Sequence, residues 1–488
     1  MAGWKACAEI GSKRQCIFFG DVKLRRQATY YGVLPQGIEH SREPLYGIAR
    51  CAPCSPMQDF RRRTPKGPDS RTFVQPVDPC STGDPKPSKG LGTFMIAPAP
   101  HIEIIKSPEV FKALEPEWQA LWRRANGRHH ESFPVAWLSW ECVAKPLGRT
   151  LRLIAVRSEG RLIAVWPLVR SRNRLWTILR PLSPESADYT TLLADPDYAS
   201  AGLTKAVWQA AQEKCPADII LLPYLDKEGD LYRLASAHDG MMVANEHPYA
   251  IARLSREKDW ESFSAPLGTL SGKKPGALLR RLERQGKVEI RILGPQDADE
   301  NARMVDWMLA CKRNWAERVD KKGAWLYSPL FRNYLVNILN YPSGPDSEPS
   351  ARMMVLMLDG APIAANMIGM GTQSILGAMG GFDRQHSKLA PGAITTEAWV
   401  RWAIEHRLDF DLGVGSEAFK PYWSKGNLSV AVSIQIAQSS WGRVAFAMQD
   451  GMAKLAAIRA GMRRPNTEVP PGKTRSESVE TRTSEAAK

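Results

Sequence analysis

The sequence predicts an α/β protein built as two similar halves in tandem, in which mixed central sheets are flanked by helices. A hairpin signal occurs twice at a shift of 200 residues, as Glu159-Gly160-x-x-Ile163-Ala164 and Asp359-Gly360-x-x-Ile363-Ala364. The same order of elements surrounds both signals: helices come first, and a further strand, a helix and a buried strand follow. Acidic-Gly turns are common in hairpins, so the shared order of elements is the stronger argument for a duplication.

The first half is predicted over residues 95–255. Residues 108–125 should be helical because five large apolar side chains share one face, namely Phe111, Leu114, Trp118, Leu121 and Trp122. Apolar runs bounded by turn residues indicate strands at 102–105, 151–156, 161–169, 175–180, 218–222 and 249–254. Further helices are expected at 134–145, 199–214 and 231–238.

The second half is predicted over residues 256–440. A helix at 276–285 ends at Gly286, and long helices are expected at 302–318 and 329–339. Strands are expected at 288–292, 351–358, 363–370, 374–380, 408–412 and 428–438. A helix should follow directly after Pro391-Gly392 and run to about His406. Residues 441–462 form a last amphipathic helix.

The two ends of the chain have a different composition. Residues 1–94 are basic and proline-rich and lack apolar periodicity, and the tail 463–488 is polar, so both are predicted to be disordered. Cys51-Ala-Pro-Cys54 lacks the second Cys or His pair that a zinc site needs, and His129-His130 lack partners at metal-ligand spacing. We therefore expect no metal.

The charge of the chain is concentrated at its N-terminus. The net charge is +15; residues 1–94 hold fifteen Lys or Arg and eight Asp or Glu (+7), the tail holds six and four (+2), and 15 − 7 − 2 leaves +6 for residues 95–462. A nucleic-acid partner is not required by this balance, since a polyanionic small ligand would suit it equally well. Scattered cysteines and the lack of a signal peptide or membrane span predict a cytoplasmic protein, and the oligomeric state cannot be read.

The stretch from Leu389 to Lys420 carries most of the chemistry. A helix start leaves backbone N–H groups unpaired and has a positive dipole end, so it can hold an anion such as a diphosphate. The predicted anion-binding residues are Leu389, Ala390, Pro391, Gly392, Ala393 and Ile394. An ordinary helix start is the alternative.

The strand that follows ends in Asp411-Leu412-Gly413-Val414-Gly415. Asp411 or Glu417 would serve as a general base, and Lys420 would pair with an oxyanion or a phosphate. Structural alternatives exist for each: a turn acid, an acid at a helix N-terminus and a solvated lysine.

These motifs together resemble a known family. Ser387-Lys388-Leu389-Ala390-Pro391-Gly392 before a helix, and Phe410-Asp411-Leu412-Gly413-Val414-Gly415-Ser416-Glu417-Ala418-Phe419-Lys420 after it, are similar to the BioF2-like and cellulose-biosynthesis CelD-like acetyltransferases. That family has the fold of the GCN5-related N-acetyltransferases (GNAT) and is related to the tandem FemAB peptidyltransferases. The resemblance covers roughly residues 102–440. The chain departs from the family at Ala390, where Ser is frequent, and at Phe419, where Tyr is usual.

The resemblance implies a tandem duplication of the GNAT fold with acetyl-CoA or another acyl-CoA as the donor. It also implies substrate-binding roles for Lys312 and Trp315 on a long helix, and for Asp188 and Tyr189 in a degenerate first copy that faces the donor site. The expected reaction is direct N-acylation of an amine on a small molecule or saccharide, such as a polysaccharide precursor. Two alternatives remain: a FemAB-like transferase that uses aminoacyl-tRNA, and a non-catalytic accessory factor in exopolysaccharide synthesis.

Overall fold

The computed structural model describes residues 100–173, 175–185, 189–320, 323–342 and 348–462. The predicted disordered arm 1–94, the Cys51–Cys54 pair, Asp188 and the tail 463–488 lie outside these residues. No helix among the described residues is long and apolar enough to cross a lipid bilayer.

The first copy runs from β1 to β9. Its strands are β1 (His101–Ile105), β2 (Thr150–Leu151), β3 (Leu153–Ser158), β4 (Arg161–Trp166), β5 (Leu168–Asn173), β6 (Trp176–Pro181), β7 (Leu193–Ala194), β8 (Ile219–Asp226) and β9 (Met241–Ala252). Its helices are α1 (Pro108–Ala113), α2 (Glu115–Arg124), α3 (Phe133–Ser139), α4 (Ala201–Lys214) and α5 (Asp230–Ser236). A π-helical turn, Trp140–Ala144, extends α3.

The second copy runs from α6 to β15. Its helices are α6 (Trp260–Ser264), α7 (Ala277–Glu283), α8 (Ala298–Arg318), α9 (Pro329–Leu339), α10 (Pro391–Glu405) and α11 (Phe419–Trp423). Its strands are β10 (Val288–Leu293), β11 (Ala351–Leu358), β12 (Ala361–Met370), β13 (Ser374–Phe382), β14 (Asp409–Val414) and β15 (Leu428–Ala437). The last helix is α12 (Ser440–Met462).

The two predicted hairpins have the same turn geometry, as a duplication requires. Glu159 and Gly160 have φ of 51° and 80°, and Asp359 and Gly360 have φ of 50° and 81°. Two central residues with positive φ match the twist of the flanking strands, and this is the reason for the acidic-Gly pair at both places. The predicted tandem architecture with mixed sheets and flanking helices is confirmed.

The copies exchange their last strands within one large sheet. In the described residues this sheet has eleven strands in the order β10-β11-β12-β13-β14-β9-β15-β8-β6-β5-β2. β9, the last strand of the first copy, pairs with β14 of the second, and β15, the last strand of the second copy, pairs with β8 of the first. β9 and β15 pair with each other in between. Each copy therefore completes its sheet with a strand from the other.

One predicted strand is wrong, and the error reveals a structural difference between the two copies. Residues 161–169 were expected to be continuous, but the chain breaks at Pro167 between β4 and β5. β4 stays in a four-stranded sheet with β1, β3 and β7, whereas β5 joins the eleven-stranded sheet. Proline lacks the N–H that a strand interior needs, and it marks this change of sheet. In the second copy the corresponding strands β11, β12 and β13 remain in one sheet.

Candidate active site

The candidate site lies where two parallel strands of the second copy stop pairing. β13 and β14 pair over three residues only, and the last pair is Leu376 with Asp411. Beyond it β13 continues to Phe382, and α10 connects the two strands. Asp411 therefore lies at the end of the β13–β14 pairing and not at the predicted strand end, because β14 continues to Val414; it is only 5% exposed.

Asp411 is held by two hydrogen bonds. Its Oδ1 accepts from the Tyr189 hydroxyl at 3.0 Å and from the Gly413 N–H at 2.8 Å. Burial raises the pKa of Asp411, although both hydrogen bonds and the positive charges of Arg128 and Lys420 act in the opposite direction. The carboxyl thus binds a proton more tightly than a free aspartate does.

Tyr189 brings the first copy into the site. Its ring centroid lies 5.3 Å from that of His130 and 5.4 Å from that of Tyr249. Burial and the neighbouring Asp411 raise the pKa of the Tyr189 hydroxyl, so it stays protonated and acts as a donor. The predicted meeting of Tyr189 with the Asp411 stretch is therefore present in the structure.

Beside Tyr189 lies a small buried cavity of about 20 Å³, which is room for one water molecule. Its lining is mostly apolar and includes the polar side chains of His130, Glu131 and Thr191 from the first copy. Burial lowers the pKa of His130 and raises that of Glu131, because it disfavours the charged form of each side chain.

A tight turn after β14 fixes the other two predicted catalytic residues. Lys420 is 5% exposed, and its Nζ donates to the Val414 carbonyl at 2.6 Å and lies 2.9 Å from Oε2 of Glu417. Gly415 has φ of 135°, and a Cβ there would lie 2.7 Å from Lys420 Nζ. Glycine is favoured at this position because an L side chain is strained at this φ, and a Cβ would also displace the ends of the Lys420 and Glu417 side chains. The Glu417 side chain is half exposed, unlike Asp411.

The predicted anion-binding residues lie around the start of α10. Ala390 adopts a left-handed conformation (φ 52°, ψ 50°), and Pro391, which has no N–H, begins the helix. The N–H groups of Ala393 and Ile394 both reach the Ala390 carbonyl, at 3.0 and 3.3 Å. Among the described residues the Gly392 N–H makes no hydrogen bond. Of the predicted cradle, Gly392 is thus the donor that remains available.

Lys312 and Trp315 lie together on α8. The Lys312 Nζ is 4.3 Å from the Trp315 ring centroid, and Trp315 packs against the core formed by α8, α9, β11 and β12. α8 approaches β13 closely at Gly381, where a Cβ would lie 2.6 Å from the Met308 carbonyl oxygen. Lys312 and Trp315 therefore lie on the helix that covers β13, next to the core of the second copy.

The first copy has a matching pair of parallel strands, but its opening is filled. β6 and β8 pair at Ile178–Ile219 and Leu179–Ile220 only. Past this point the Thr190 N–H donates to the Pro223 carbonyl of β8 at 3.2 Å. The helix that follows, α4, has its start capped by the Ser200 side chain, which accepts from the Leu203 N–H. The chain's own segment at Thr190 thus lies against β8 at this opening, and the preceding residue, Tyr189, reaches Asp411.

Sequence reasoning missed Arg128, His130 and Tyr249. None of them follows a motif; they reach Tyr189 or Asp411 through contacts between distant parts of the chain. The signal that existed was the His129-His130 pair, which was judged only for metal binding. Within the described residues, no three His, Cys, Asp or Glu side chains are grouped as a metal site requires.

Comparison with known protein families finds a match within the second copy. Residues 276–421 match the family model described as the acetyltransferase (GNAT) domain, and this range contains the whole stretch from Leu389 to Lys420. No curated protein matches the sequence.

Three solved structures illustrate the likeness in chain trace. FemX is 12% identical, with 70% of this chain and 99% of that chain covered and a TM-score of 0.48. A tandem GNAT protein from the clavulanic acid biosynthesis pathway is 14% identical (70% and 99% covered, TM-score 0.39). The C-terminal domain of a putative lysylphosphatidylglycerol synthetase from Agrobacterium fabrum is 13% identical (71% and 96% covered, TM-score 0.42). Likeness at this level does not extend to what these proteins bind or do. Residues 276–421 match the acetyltransferase (GNAT) domain model, and the chain is an acyltransferase.

Proposed function

We propose that the protein transfers an acyl group from an acyl-CoA, such as acetyl-CoA, to an amine of a small-molecule or saccharide acceptor. The observation that supports this best is the position of Asp411. A buried carboxyl with a raised pKa stands at the end of the β13–β14 ladder, inside the range that matches the GNAT domain. A polysaccharide precursor as acceptor, and the BioF2-like or CelD-like subfamily, belong to the same proposal.

The donor would bind along the second copy. The diphosphate would lie at the start of α10, where the Gly392 N–H and the positive end of a 15-residue helix point toward it. Beyond Leu376, β13 has no ladder partner on its β14 side among the described residues, so its backbone groups can bind the amide arm of the donor. Leu389, Ala390, Pro391, Ala393 and Ile394 shape this helix start around Gly392.

The acid–base step follows from Asp411. The acceptor ammonium loses a proton to the Asp411 carboxylate, and the amine nitrogen then attacks the thioester carbonyl. As the C–S bond breaks, the attacking nitrogen releases its second proton to solvent, and the thiolate takes up the proton that Asp411 holds. A raised pKa makes Asp411 a better proton acceptor than an ordinary aspartate, and the Tyr189 hydroxyl orients its Oδ1.

The other predicted site residues have positioning or binding roles in this proposal. Lys420 and Glu417 hold the turn at Val414 in place; for Lys420 to stabilise the oxyanion, its Nζ must leave the Val414 carbonyl. Lys312 and Trp315 would contact the substrate from α8. Asp188, adjacent to Tyr189 in the sequence, would contribute from the first copy.

The donor can be identified on the purified full-length protein. Mass spectrometry of co-purifying ligands, followed by calorimetry with acetyl-CoA, should detect a CoA species that binds. Gly392→Asp should abolish that binding, because it places a carboxylate against the diphosphate. If aminoacyl-tRNA supports activity and acyl-CoA does not bind, the chain is a FemAB-like transferase. If neither binds, the proposal is wrong and a binding module is indicated.

A further inference from the structure

The C-terminal helix α12 carries a row of apolar side chains that face solvent. Trp441, Val444, Met448, Met452 and Leu455 are 40–57% exposed. At 3.6 residues per turn these five positions fall within about 80° of the helix circumference. Ala445, only 1% exposed, lies on the side of α12 that packs on the sheet. Contiguous exposed apolar side chains of this kind mark a contact surface.

The row continues onto the sheet through Leu175. Leu175 is 58% exposed, and its carbonyl accepts a hydrogen bond of 3.1 Å from the Trp441 indole N–H. The rings of Trp441 and Trp176 stack with centroids 5.7 Å apart. These contacts fix the start of α12 to the β5–β6 hairpin. The row from Trp441 to Leu455 is then about 21 Å long at 1.5 Å per residue.

The net charge of the segment that carries the row indicates what type of partner it can bind. Residues 440–464 hold five Lys or Arg and one Asp, so their net charge is 5 − 1 = +4. A second copy of the chain would set this positive segment against another like it, and residues 1–94 carry +7 themselves. Electrostatic repulsion therefore disfavours both a second copy and residues 1–94 as the partner, whereas an anionic surface would be attracted.

We propose that the α12 row, with Leu175, docks on an anionic lipid surface. A basic helix with Trp, Met, Val and Leu along one side is the type that lies in the membrane interface. Its apolar side chains enter the boundary between headgroups and acyl chains, and its positive charges meet anionic headgroups. This inference does not depend on the proposed acyl donor, because it concerns where the protein is held.

Co-sedimentation of the full-length protein with lipid vesicles tests the proposal. Wild-type protein should bind vesicles that contain phosphatidylglycerol and should bind phosphatidylcholine vesicles much less, and the binding should weaken with added salt. Met448→Glu and Met452→Glu should each weaken binding about tenfold, because each puts a charge in the apolar contact.

Ala447→Glu is the matched control. Ala447 is exposed on another side of α12, so this variant adds the same charge outside the row and should lose much less affinity. Circular dichroism checks that the variants stay folded. The proposal is overturned if wild-type protein does not bind phosphatidylglycerol vesicles, or if Ala447→Glu weakens binding as much as Met448→Glu. It is also overturned if Met448→Glu splits a dimer in sedimentation velocity, since a second copy would then cover the row.

Discussion

The Tyr189 hydroxyl donates a 3.0 Å hydrogen bond to Asp411 Oδ1 and joins residues that lie 222 positions apart in the sequence. Tyr189 belongs to the copy whose own strand opening is filled, and Asp411 belongs to the copy that matches the GNAT domain. The two copies therefore contribute unequally to one site. In the proposed reaction the second supplies the carboxyl that takes up the proton, and the first supplies the hydroxyl that orients it.

Asp411→Asn should lower turnover by about 10²–10⁴-fold, which is the usual contribution of a general base. Asparagine keeps an oxygen for the Tyr189 hydroxyl and the Gly413 N–H but cannot take up the proton. Acyl-CoA affinity, measured by calorimetry, should change little. Asp409→Asn is the control: this residue lies two positions earlier on β14 and pairs with Arg253 and Ser255. Full activity in Asp411→Asn would rule out the assigned role.

Tyr189→Phe should move the pH dependence of turnover upward. The Tyr189 hydroxyl lowers the pKa of Asp411, so its removal raises that pKa further, and the active carboxylate form appears at higher pH. The measurement is kcat/KM as a function of pH. Tyr249→Phe removes a neighbouring hydroxyl that is not bonded to Asp411 and should leave the midpoint nearly unchanged. Equal profiles for wild type and Tyr189→Phe would contradict the prediction.

His129 should make the fold sensitive to acid. Its ring packs on Gly369, where a Cβ would lie 2.2 Å from the ring, and burial lowers its pKa from 6.5 to about 4. The unfolded chain therefore binds a proton first as the pH falls. The contribution of His129 to the free energy of unfolding is fully present above pH 6.5 and is lost as the pH falls toward about 4. Denaturant unfolding across this window should show the loss, and His129→Gln should flatten it. A wild-type curve without this decrease would disprove the assignment.

Gly415→Ala should destabilise the protein by about 1–3 kcal/mol. The residue has φ of 135°, and a Cβ would lie 2.3 Å from Glu417 Oε2. The expected shift is a lower denaturation midpoint together with a loss of activity, because Lys420 loses its position. Gly451→Ala is the control, since Gly451 lies in α12 and a Cβ there meets nothing within 4 Å. That variant should be neutral or slightly stabilising. Equal midpoints for the two variants would contradict the assigned constraint.

Separated copies should not fold alone. A fragment that ends at residue 255 lacks β15, and a fragment that begins at 256 lacks β9. Each would expose the edge of a central strand, β8 or β14, and lose its buried contacts. Circular dichroism and solubility of each fragment, alone and co-expressed, test this; recovery of a folded complex is expected only on co-expression. A soluble, cooperatively unfolding single copy would show that the exchanged strands are dispensable.

The sequence is sufficient for features that depend on local chemistry. The two hairpin turns, and a helix followed by a strand that contains Asp411, follow from a few adjacent residues. The domain boundary at 255/256 remains a prediction, and the strand exchange could not be foreseen. Ser429 in β15 pairs with Tyr249 in β9, and no sequence pattern in either strand predicts that these two strands pair. Arg128, His130 and Tyr249 were missed for the same reason.

The exchange of last strands also has a consequence for synthesis. β8 ends at Asp226, and its partner β15 ends at Ala437, 211 residues later in the chain. At 5–20 residues per second the ribosome needs roughly 10–40 s to make that stretch. Through this interval the nascent first copy presents an unpaired strand edge, which a neighbouring nascent chain on the same message can occupy. The sheet of the first copy can therefore be completed only after β15 has been synthesised.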